Sequence, residues 1–185
     1  SKPNNVTKLV SCTTHSACRP VKRFMISHTT QIQTKPSRVI LIGARGFIGT
    51  AIQRQLRSQS ISMLALGSND LDLTSAKAAD QLTELINPDD SVVMLAALTP
   101  DKGRDIATLM KNLAMMQTVC SALEKTSCAQ LVYFSSDAVY DPGESKVSEQ
   151  TAASPPDLYG AMHYTREIMA GSLTDVPVLI LRPTG

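Results

Sequence analysis

The sequence predicts an α/β protein built on a doubly wound parallel sheet. From residue 38 onward, short apolar runs alternate with segments whose apolar residues have helical spacing. The short runs are apolar throughout rather than at every second position, which is typical of strands covered by helices on both faces. Right-handed crossovers between such strands place helices on both sides of one sheet. We therefore expect one domain over residues 37–185.

The first three elements follow directly after Pro36. Residues 38–42 form an apolar, β-branched run that stops at Gly43, so they predict a buried strand. Residues 47–57 carry apolar side chains at three- and four-residue spacing, as a helix with one apolar face does. Residues 61–66 predict the second strand.

The remaining elements repeat this alternation. A helix over residues 76–86 has its apolar side chains on one side and ends where Asn87 and Pro88 interrupt it. The later strands end at polar or turn-forming residues, and longer helices connect them. In chain order we expect a strand at 92–96, a helix at about 104–125, a strand at 131–134, a helix at 158–171 and a strand at 176–181.

The composition is that of an ordinary globular protein, with 43% hydrophobic and 18% charged residues. A net charge of +2 predicts no general attraction to nucleic acid or to an anionic membrane. No stretch approaches the roughly 20 apolar residues of a membrane span. The four cysteines lack the spacing of metal ligands. We therefore expect a cytoplasmic protein with reduced thiols and no metal site.

Residues 1–36 differ from the rest in charge, because they contain basic residues and not one Asp or Glu. This segment is predicted to be a disordered extension outside the fold. Three origins fit its composition: an organellar transit peptide, a disordered tail, or sequence upstream of a true start at Met25.

A glycine-rich loop joins the first predicted strand to the first helix. Gly43 permits a sharp turn, Gly46 lets backbone amides approach a phosphate, and Gly49 allows the helix to pack closely on the strand. The free N–H groups and the positive dipole end of the helix would hold a pyrophosphate. Because a strand precedes the loop and βαβ units follow it, the loop predicts a Rossmann fold that binds NAD or NADP.

Two residues bear on which of these cofactors is preferred. An acidic residue at the end of the second strand would select NAD, but residues 66–69 include no carboxylate. Arg45 lies in the glycine loop, where it can reach a 2′-phosphate, so the sequence favours NADP. If the strand ends two residues later than expected, Asp70 takes the place of the missing carboxylate and favours NAD.

The glycine spacing, with Phe47 and Ile48 inside it, resembles the extended short-chain dehydrogenase/reductase family of NAD-dependent epimerases and dehydratases. Further segments resemble that family in its own order. They are Asp72 with Leu73 near the adenine, Leu95-Ala96-Ala97 along the cofactor, a buried Asn112, Ser135-Ser136 followed by Val139-Tyr140, Tyr159 with Gly160, and Arg182 with Pro183. The run 70–74 looks most like the dTDP-4-dehydrorhamnose reductase branch.

The resemblance implies both the cofactor contacts and the chemistry. The glycine loop, the segments up to Asn112, and Tyr159, His163 and Pro183 would contact NAD(P). Tyr159 would be the acid/base on a sugar oxygen, Ser136 would bond the same oxygen, and the nicotinamide would carry the hydride. The implied substrate is a nucleotide sugar that is epimerised, dehydrated or reduced.

The family's Tyr-x-x-x-Lys motif is altered, because His163 stands where the Lys belongs. The spacing keeps His163 on the Tyr159 side of the helix. Imidazole can bond ribose hydroxyls, but with a usual pKa of about 6.5 it is mostly neutral at pH 7. Three interpretations remain open: a catalytic replacement for the Lys, a decayed site in a cofactor-binding regulator or scaffold, or an accidental equivalence.

The resemblance has two further implications. Much of the family's substrate-binding lobe follows the Arg182-Pro183 segment, so most of that lobe is expected to be absent, and residues 140–156 are expected to line the substrate cleft. A homodimer is implied through the helices at about 104–125 and 158–171.

Overall fold

Five strands and four α-helices lie in residues 35–183, the part of the chain that this computed structural model describes. The N-terminal extension expected from the sequence, apart from its last two residues, lies outside this part. A short 3₁₀ turn at Asp137–Val139 precedes the last helix. In chain order the elements are β1 (Arg38–Ile42), α1 (Phe47–Ser58), β2 (Ser62–Leu66), α2 (Ala78–Leu85), β3 (Asp90–Met94), α3 (Ile106–Lys125), β4 (Gln130–Phe134), α4 (Leu158–Gly171) and β5 (Val178–Leu181).

The strands form one parallel sheet in the order β2-β1-β3-β4-β5. The chain runs from β1 to one edge and then returns past β1 to the other, so the direction of winding reverses between β1 and β3. Such a reversal leaves a crevice at the carboxyl ends of these two strands. The predicted doubly wound sheet is confirmed. β1 and α4 have the predicted bounds, and every end of the other elements lies within two residues of its predicted position.

Successive residues of each strand point to opposite faces of the sheet. One face packs against α2, α3 and α4, with Ile40 and Val92 completely buried at its centre. The other face, with Leu41 at its centre, packs against Ile52 and Leu56 of α1. Helices therefore cover both faces, and each helix begins at the carboxyl edge of the sheet. No helix of residues 35–183 is long and apolar enough to cross a membrane.

The third strand begins and ends two residues earlier than the sequence predicts. It begins at Asp90 because the Asp90 carboxylate pairs with Arg38 on the neighbouring strand at 2.5 Å. It ends at Met94 because side chains bind the next backbone segment in place of a strand: Arg166 donates to the carbonyl of Ala96 at 2.9 Å. Leu95, Ala96 and Ala97 therefore lie in the loop after β3.

Candidate active site

The glycine loop leaves the carboxyl end of β1 and opens α1. Gly43 has a φ of +89°, and a Cβ there would lie 2.6 Å from the backbone nitrogen of Ala96. A Cβ on Gly49 would lie 2.5 Å from the carbonyl oxygen of Gly43. The fold itself therefore requires these two glycines. A Cβ on Gly46 would meet its nearest protein atom at 3.5 Å, which is ordinary contact, so packing does not require glycine there.

The N-terminus of α1 is open to an anion. Its N-cap, Gly46, makes no side-chain capping bond, and the first turn contains no acidic residue. The free backbone N–H groups and the positive dipole end therefore meet no negative side chain of the helix itself. Beside them Phe47 is 93% exposed and Ile48 40% exposed. Apolar side chains next to an anion site are suited to a ligand that joins a phosphate to a ring.

Arg45 reaches from the glycine loop to the end of β2. Its guanidinium lies 3.2 Å from the carboxylate of Asp70, and its stem crosses Gly67, where a Cβ would lie 2.8 Å from Arg45 Cδ. The backbone N–H of Gly67 donates to Asp70 at 2.8 Å. β2 ends at Leu66, yet the following turn returns Asp70 to the strand end. Arg45, which favours NADP, and Asp70, which favours NAD, are thus direct neighbours.

Asp72 and Leu73 lie in the loop between β2 and α2. The Asp72 carboxylate accepts bonds from the hydroxyl of Thr74 at 2.7 Å and from its N–H at 2.9 Å, and these bonds lower the pKa of Asp72. The Leu73 side chain is buried in the core, and its carbonyl accepts a bond from Thr118 at 2.7 Å. Asp72 keeps an exposed carboxylate for a ligand, whereas the side chain of Leu73 is buried.

Asn112 is buried in α3, as its resemblance to the family's buried Asn implies. Its amide accepts a bond from the Leu98 N–H at 2.8 Å and donates to the Leu98 carbonyl at 3.1 Å. Asn112 therefore holds the loop that begins with Leu95, Ala96 and Ala97. A cleft of about 310 Å³ lies between this loop and the start of α4. Its walls include Leu98, Thr108, Asn112, Tyr159 and Met162.

Tyr159 and Ser136 come together beyond the carboxyl end of β4. Asp157 caps α4 by accepting a bond from the Gly160 N–H at 2.9 Å. Gly160 packs so closely on the 3₁₀ turn that a Cβ would lie 2.1 Å from the Ala138 carbonyl oxygen, which brings Tyr159 against this turn. Ser136 begins the turn by accepting a bond from the Ala138 N–H at 3.1 Å.

The phenol of Tyr159 is held between opposing influences. Burial raises its pKa most, and the carboxylates of Asp137 and Asp101 raise it further. The cation of Arg166 and the hydroxyl of Ser136 lower it. The result is a net increase above the usual value, so the chain by itself favours the neutral phenol.

His163 lies on the same side of α4 as Tyr159, with the two rings edge to face and their centres 4.8 Å apart. Its Nδ1 is hydrogen-bonded to the hydroxyl of Tyr133 at 2.7 Å, and its buried Nε2 has no partner. Burial, with the charge of Arg166, lowers the pKa of His163 to about 3, so the ring is neutral. Direct contact with a ribose, as the sequence implied, would require the ring to leave this position.

Sequence reasoning missed two buried groups beside His163. Arg166 has no exposed surface, and its guanidinium carbon lies 5.0 Å from the ring centre of Tyr133. Tyr133 is buried near the end of β4, and its sequence context predicts only a strand residue. The available signal was spacing, because Arg166 comes two helical turns after Tyr159 and therefore shares its side of α4.

A second cluster fastens α4 to the end of β5; its Glu167 was missed by sequence reasoning, which singled out Ser135, Tyr140 and Arg182. The carboxylate of Glu167 accepts bonds from Ser135 at 2.5 Å and from both ends of the Arg182 guanidinium, at 2.9 Å and 2.6 Å. Arg182 also donates to the hydroxyl of Tyr140 at 3.0 Å. The exposed Pro183 follows, and its carbonyl accepts a bond from the Asp137 N–H at 3.3 Å. This cluster fixes the turn that carries Ser136.

Comparisons with known proteins identify the family and the fold of the chain. A family model described as the NAD dependent epimerase/dehydratase family matches residues 39–184. A dTDP-4-dehydrorhamnose reductase from Bacillus anthracis, solved in complex with NADP, is 25% identical, with a TM-score of 0.69 over 82% of this chain and 54% of that one. No curated protein matches the chain.

Two further solved structures share the fold. A dTDP-4-dehydrorhamnose reductase from Clostridium acetobutylicum is 23% identical, with a TM-score of 0.69 over 78% of this chain and 52% of that one. A UDP-glucose 4-epimerase from Brucella ovis, in complex with NAD, is 20% identical, with a TM-score of 0.68 over 79% of this chain and 51% of that one. The chain thus spans about half the length of these structures. Its family match, doubly wound parallel sheet and glycine loop place it in the NAD-dependent epimerase/dehydratase family.

Proposed function

We propose that the chain binds a nicotinamide dinucleotide at the glycine loop and moves a proton on a nucleotide sugar through Tyr159. One observation carries this proposal: the open N-terminus of α1 and the Ser136–Tyr159 pair lie at the same carboxyl edge of the sheet. The space at Gly46 supports it, because glycine is present where only a ligand would make it necessary. A dinucleotide can extend from the loop toward Tyr159.

Each part of the site has a task in this proposal. The N–H groups at the start of α1 bind the pyrophosphate, and the small residues Ala96 and Ala97 leave room for the cofactor beside β3. The bound cofactor supplies or accepts the hydride. Tyr159 gives a proton to the sugar oxygen, or takes one from it, and Ser136 donates a hydrogen bond to the same oxygen.

We propose that NADP is preferred over NAD. The Arg45–Asp70 ion pair is exposed, so it contributes only about 0–1 kcal/mol and is easily exchanged. A 2′-phosphate can replace Asp70 as the partner of Arg45 and match its guanidinium with two hydrogen bonds. Asp70 is the competing influence, because its carboxylate would repel the phosphate and would accept a bond from a 2′-hydroxyl.

The proposed substrate class is a nucleotide sugar. The cleft of about 310 Å³ between the loop after β3 and the start of α4 has room for one sugar ring beside Tyr159. The reductases and the epimerase reported above act on such sugars according to their names. Residues 140–156 follow the 3₁₀ turn that Ser136 begins, and we propose that they form one wall of the substrate site.

We also propose that two copies pair through α3 and α4. Ile106, Met110 and Ile168 on these helices are 69%, 57% and 59% exposed. Burial of these side chains against a second copy would remove apolar surface from water. Sedimentation of the chain and of an Ile106→Lys, Ile168→Lys variant would test the pairing, since the variant should remain a monomer.

A second function has its own support: a regulator or scaffold that binds the cofactor without catalysis. The neutral His163 cannot supply the positive charge that the family's Lys would bring to the tyrosine. The site would then bind NADP and leave the sugar unchanged. Tyr159 and Ser136 favour the enzyme, because binding alone needs neither.

Titration of the full chain with NADPH and NADH, followed by nicotinamide fluorescence, tests the binding proposal. Saturable binding that favours NADPH supports it, and no binding by a folded chain refutes it. Reduction is then followed by nicotinamide absorbance with dTDP-4-dehydrorhamnose and NADPH. Epimerisation of UDP-glucose with NADP⁺ is followed by chromatography of the sugar product, because the hydride returns to the sugar and leaves no net change in absorbance. Turnover that is lost in Tyr159→Phe supports the enzyme, whereas cofactor binding without turnover on either sugar supports the regulator.

A further inference from the structure

Arg166 is an unusual side chain for the interior of a small domain. It is completely buried, and within residues 35–183 no carboxylate forms an ion pair with it. Its Nη2 donates to the Ala96 carbonyl at 2.9 Å, its Nη1 faces the sulfur of Met162 at 3.8 Å, and its Nε has no partner. An arginine keeps its charge even when buried. Burial of such a charge costs free energy unless an anion compensates it.

Fold stability therefore gives no reason for this residue. Buried charges can often be replaced by apolar side chains of similar volume with no loss of stability, or with a gain. The other buried or half-buried arginines each have an anion: Arg38 pairs with Asp90, and Arg182 pairs with Glu167. Arg166 has only neutral partners, so its charge is available to a nearby group that becomes negative during function.

The side chains around Arg166 form a series of contacts that ends at the phenol of Tyr159 in the cleft. Its guanidinium lies over the ring of Tyr133, and the Tyr133 hydroxyl is bonded to His163 Nδ1 at 2.7 Å. The His163 ring contacts Tyr159 edge to face. Cys120 of α3 also faces Arg166, but burial raises the pKa of that thiol to about 11, so it stays neutral. Of these ionisable groups, Tyr159 is the one that lines the cleft.

The charges that face Tyr159 are unequal. Asp137 on the 3₁₀ turn and Asp101 on the loop after β3 oppose a negative phenolate, while the Ser136 hydroxyl favours it. His163 is neutral and brings no charge. Arg166 is the cation among these neighbours, and its positive charge lowers the pKa of Tyr159.

We propose that Arg166 is a positioning residue whose buried positive charge stabilises the phenolate of Tyr159, in the absence of a lysine four residues after that tyrosine. This inference rests on the proposed acid/base role of Tyr159. Tyr133 and His163 fill the space between the cation and the tyrosine and keep water out of it. The altered motif is then a relocation of the charge from the first helical turn after Tyr159 to the second, where it is fully buried.

The test measures the ionisation of Tyr159 itself and needs no substrate. The chain contains four tyrosines and no tryptophan, so labelling with 3-fluorotyrosine gives four ¹⁹F NMR signals, and Tyr159→Phe assigns the relevant one. Fluorination also makes phenols more acidic, which brings the titration into a milder pH range. The variants are Arg166→Met and Arg166→Gln, which are neutral, and Arg166→Lys, which keeps the charge. Arg54→Met, an exposed change on α1 across the sheet, is the matched control.

We expect both neutral variants to raise the Tyr159 midpoint by about one pH unit, the lower end of the effect of a nearby charge. Arg166→Lys should recover at least half of this shift, and Arg54→Met should leave the midpoint in place. Equal midpoints in the wild type and the neutral variants would overturn the proposal. Failure of both neutral variants to fold would also overturn it, because the cation would then be a requirement of the fold.

A separate titration with NADPH distinguishes this inference from the proposed function. If the wild-type chain does not bind NADPH, the cofactor proposal fails while the Tyr159 titration remains a valid test of Arg166. If NADPH binds and the midpoint does not respond to Arg166, the cofactor site stands and the inference fails.

Discussion

Substitution of single glycines by alanine separates a position used by the fold from one used by the ligand. In Gly49→Ala the added methyl would lie 2.5 Å from the Gly43 carbonyl oxygen and 2.7 Å from that of Ala44. Both are backbone atoms, so neither can move without shifting the loop. In Gly46→Ala the nearest protein atom is 3.5 Å away, and the backbone φ of −72° suits any residue.

These contacts set the expected magnitudes. Overpacking of a buried position costs about 1–3 kcal/mol, so Gly49→Ala should lower Tm by several degrees. At Gly46, alanine is a poorer N-cap than glycine by some tenths of a kcal/mol, and it restricts the unfolded chain by a similar amount. These effects oppose each other, and we expect the stability of Gly46→Ala to stay within about 0.5 kcal/mol of the wild type.

Cofactor affinity should respond differently: Gly46→Ala should weaken NADPH binding although it hardly changes the stability of the fold. The methyl in Gly46→Ala would occupy the path of the phosphate, and we expect NADPH affinity to fall at least about tenfold, or about 1.4 kcal/mol. Thermal unfolding by circular dichroism gives the stabilities, and calorimetric titration gives the affinities. A stable Gly46→Ala chain that binds NADPH as tightly as the wild type would refute our assignment of Gly46 to a phosphate.

Three further predictions concern charge. Arg45→Ala should abolish the preference for NADPH over NADH, while Asp70→Asn should increase it. The ratio of the dissociation constants for NADH and NADPH measures both effects. Equal ratios in the wild type and the two variants would contradict the proposed 2′-phosphate partner. Because the pKa of buried His163 is lowered to about 3, the unfolded chain binds a proton that the folded chain does not, so stability falls as pH drops from about 6.5 toward 3; His163→Gln should reduce this acid sensitivity in urea unfolding, and identical pH slopes would contradict it. The hydrogen bond from Arg38 lowers the pKa of Asp90, so this pair stabilises the fold above about pH 4 and the effect is lost as pH falls through the lowered pKa; Asp90→Asn should cost about 2 kcal/mol at pH 7 and much less in acid, and a cost independent of pH would show that the charge is not responsible.

The alternation of elements was readable from the sequence because each strand contains a continuous apolar run of at least three residues and each helix has an apolar face. The bounds of α4 were predicted without error, since Asp157 is a strong N-cap just before the helix. β3 was displaced because its start depends on the pairing of Asp90 with Arg38. That pairing joins residues far apart in the chain and leaves no local pattern.

The sequence suggests candidate site residues where short motifs determine local geometry, and it gives no sign of groups that only tertiary packing brings to the site. The glycine loop could be recognised from three residues, because Gly43 and Gly49 each meet a local steric need and Gly46 completes their spacing. Arg166 could not be, because an arginine on a helix is usually exposed and its burial depends on Tyr133 and the loop at Ala96. The lowered pKa of His163 could not be predicted either, because it results from burial, and the four-residue spacing from Tyr159 does not indicate burial.

The central claim is that a nicotinamide dinucleotide binds along the carboxyl edge of the sheet, from the glycine loop to Tyr159. The most direct test maps ¹⁵N amide shifts of the chain during addition of NADPH. The account predicts saturable shifts at Gly46, Phe47, Ala96 and Tyr159, with the C-terminal half of α3 unchanged. Shifts confined to other parts of the sheet, or no shifts at saturating NADPH, would contradict it.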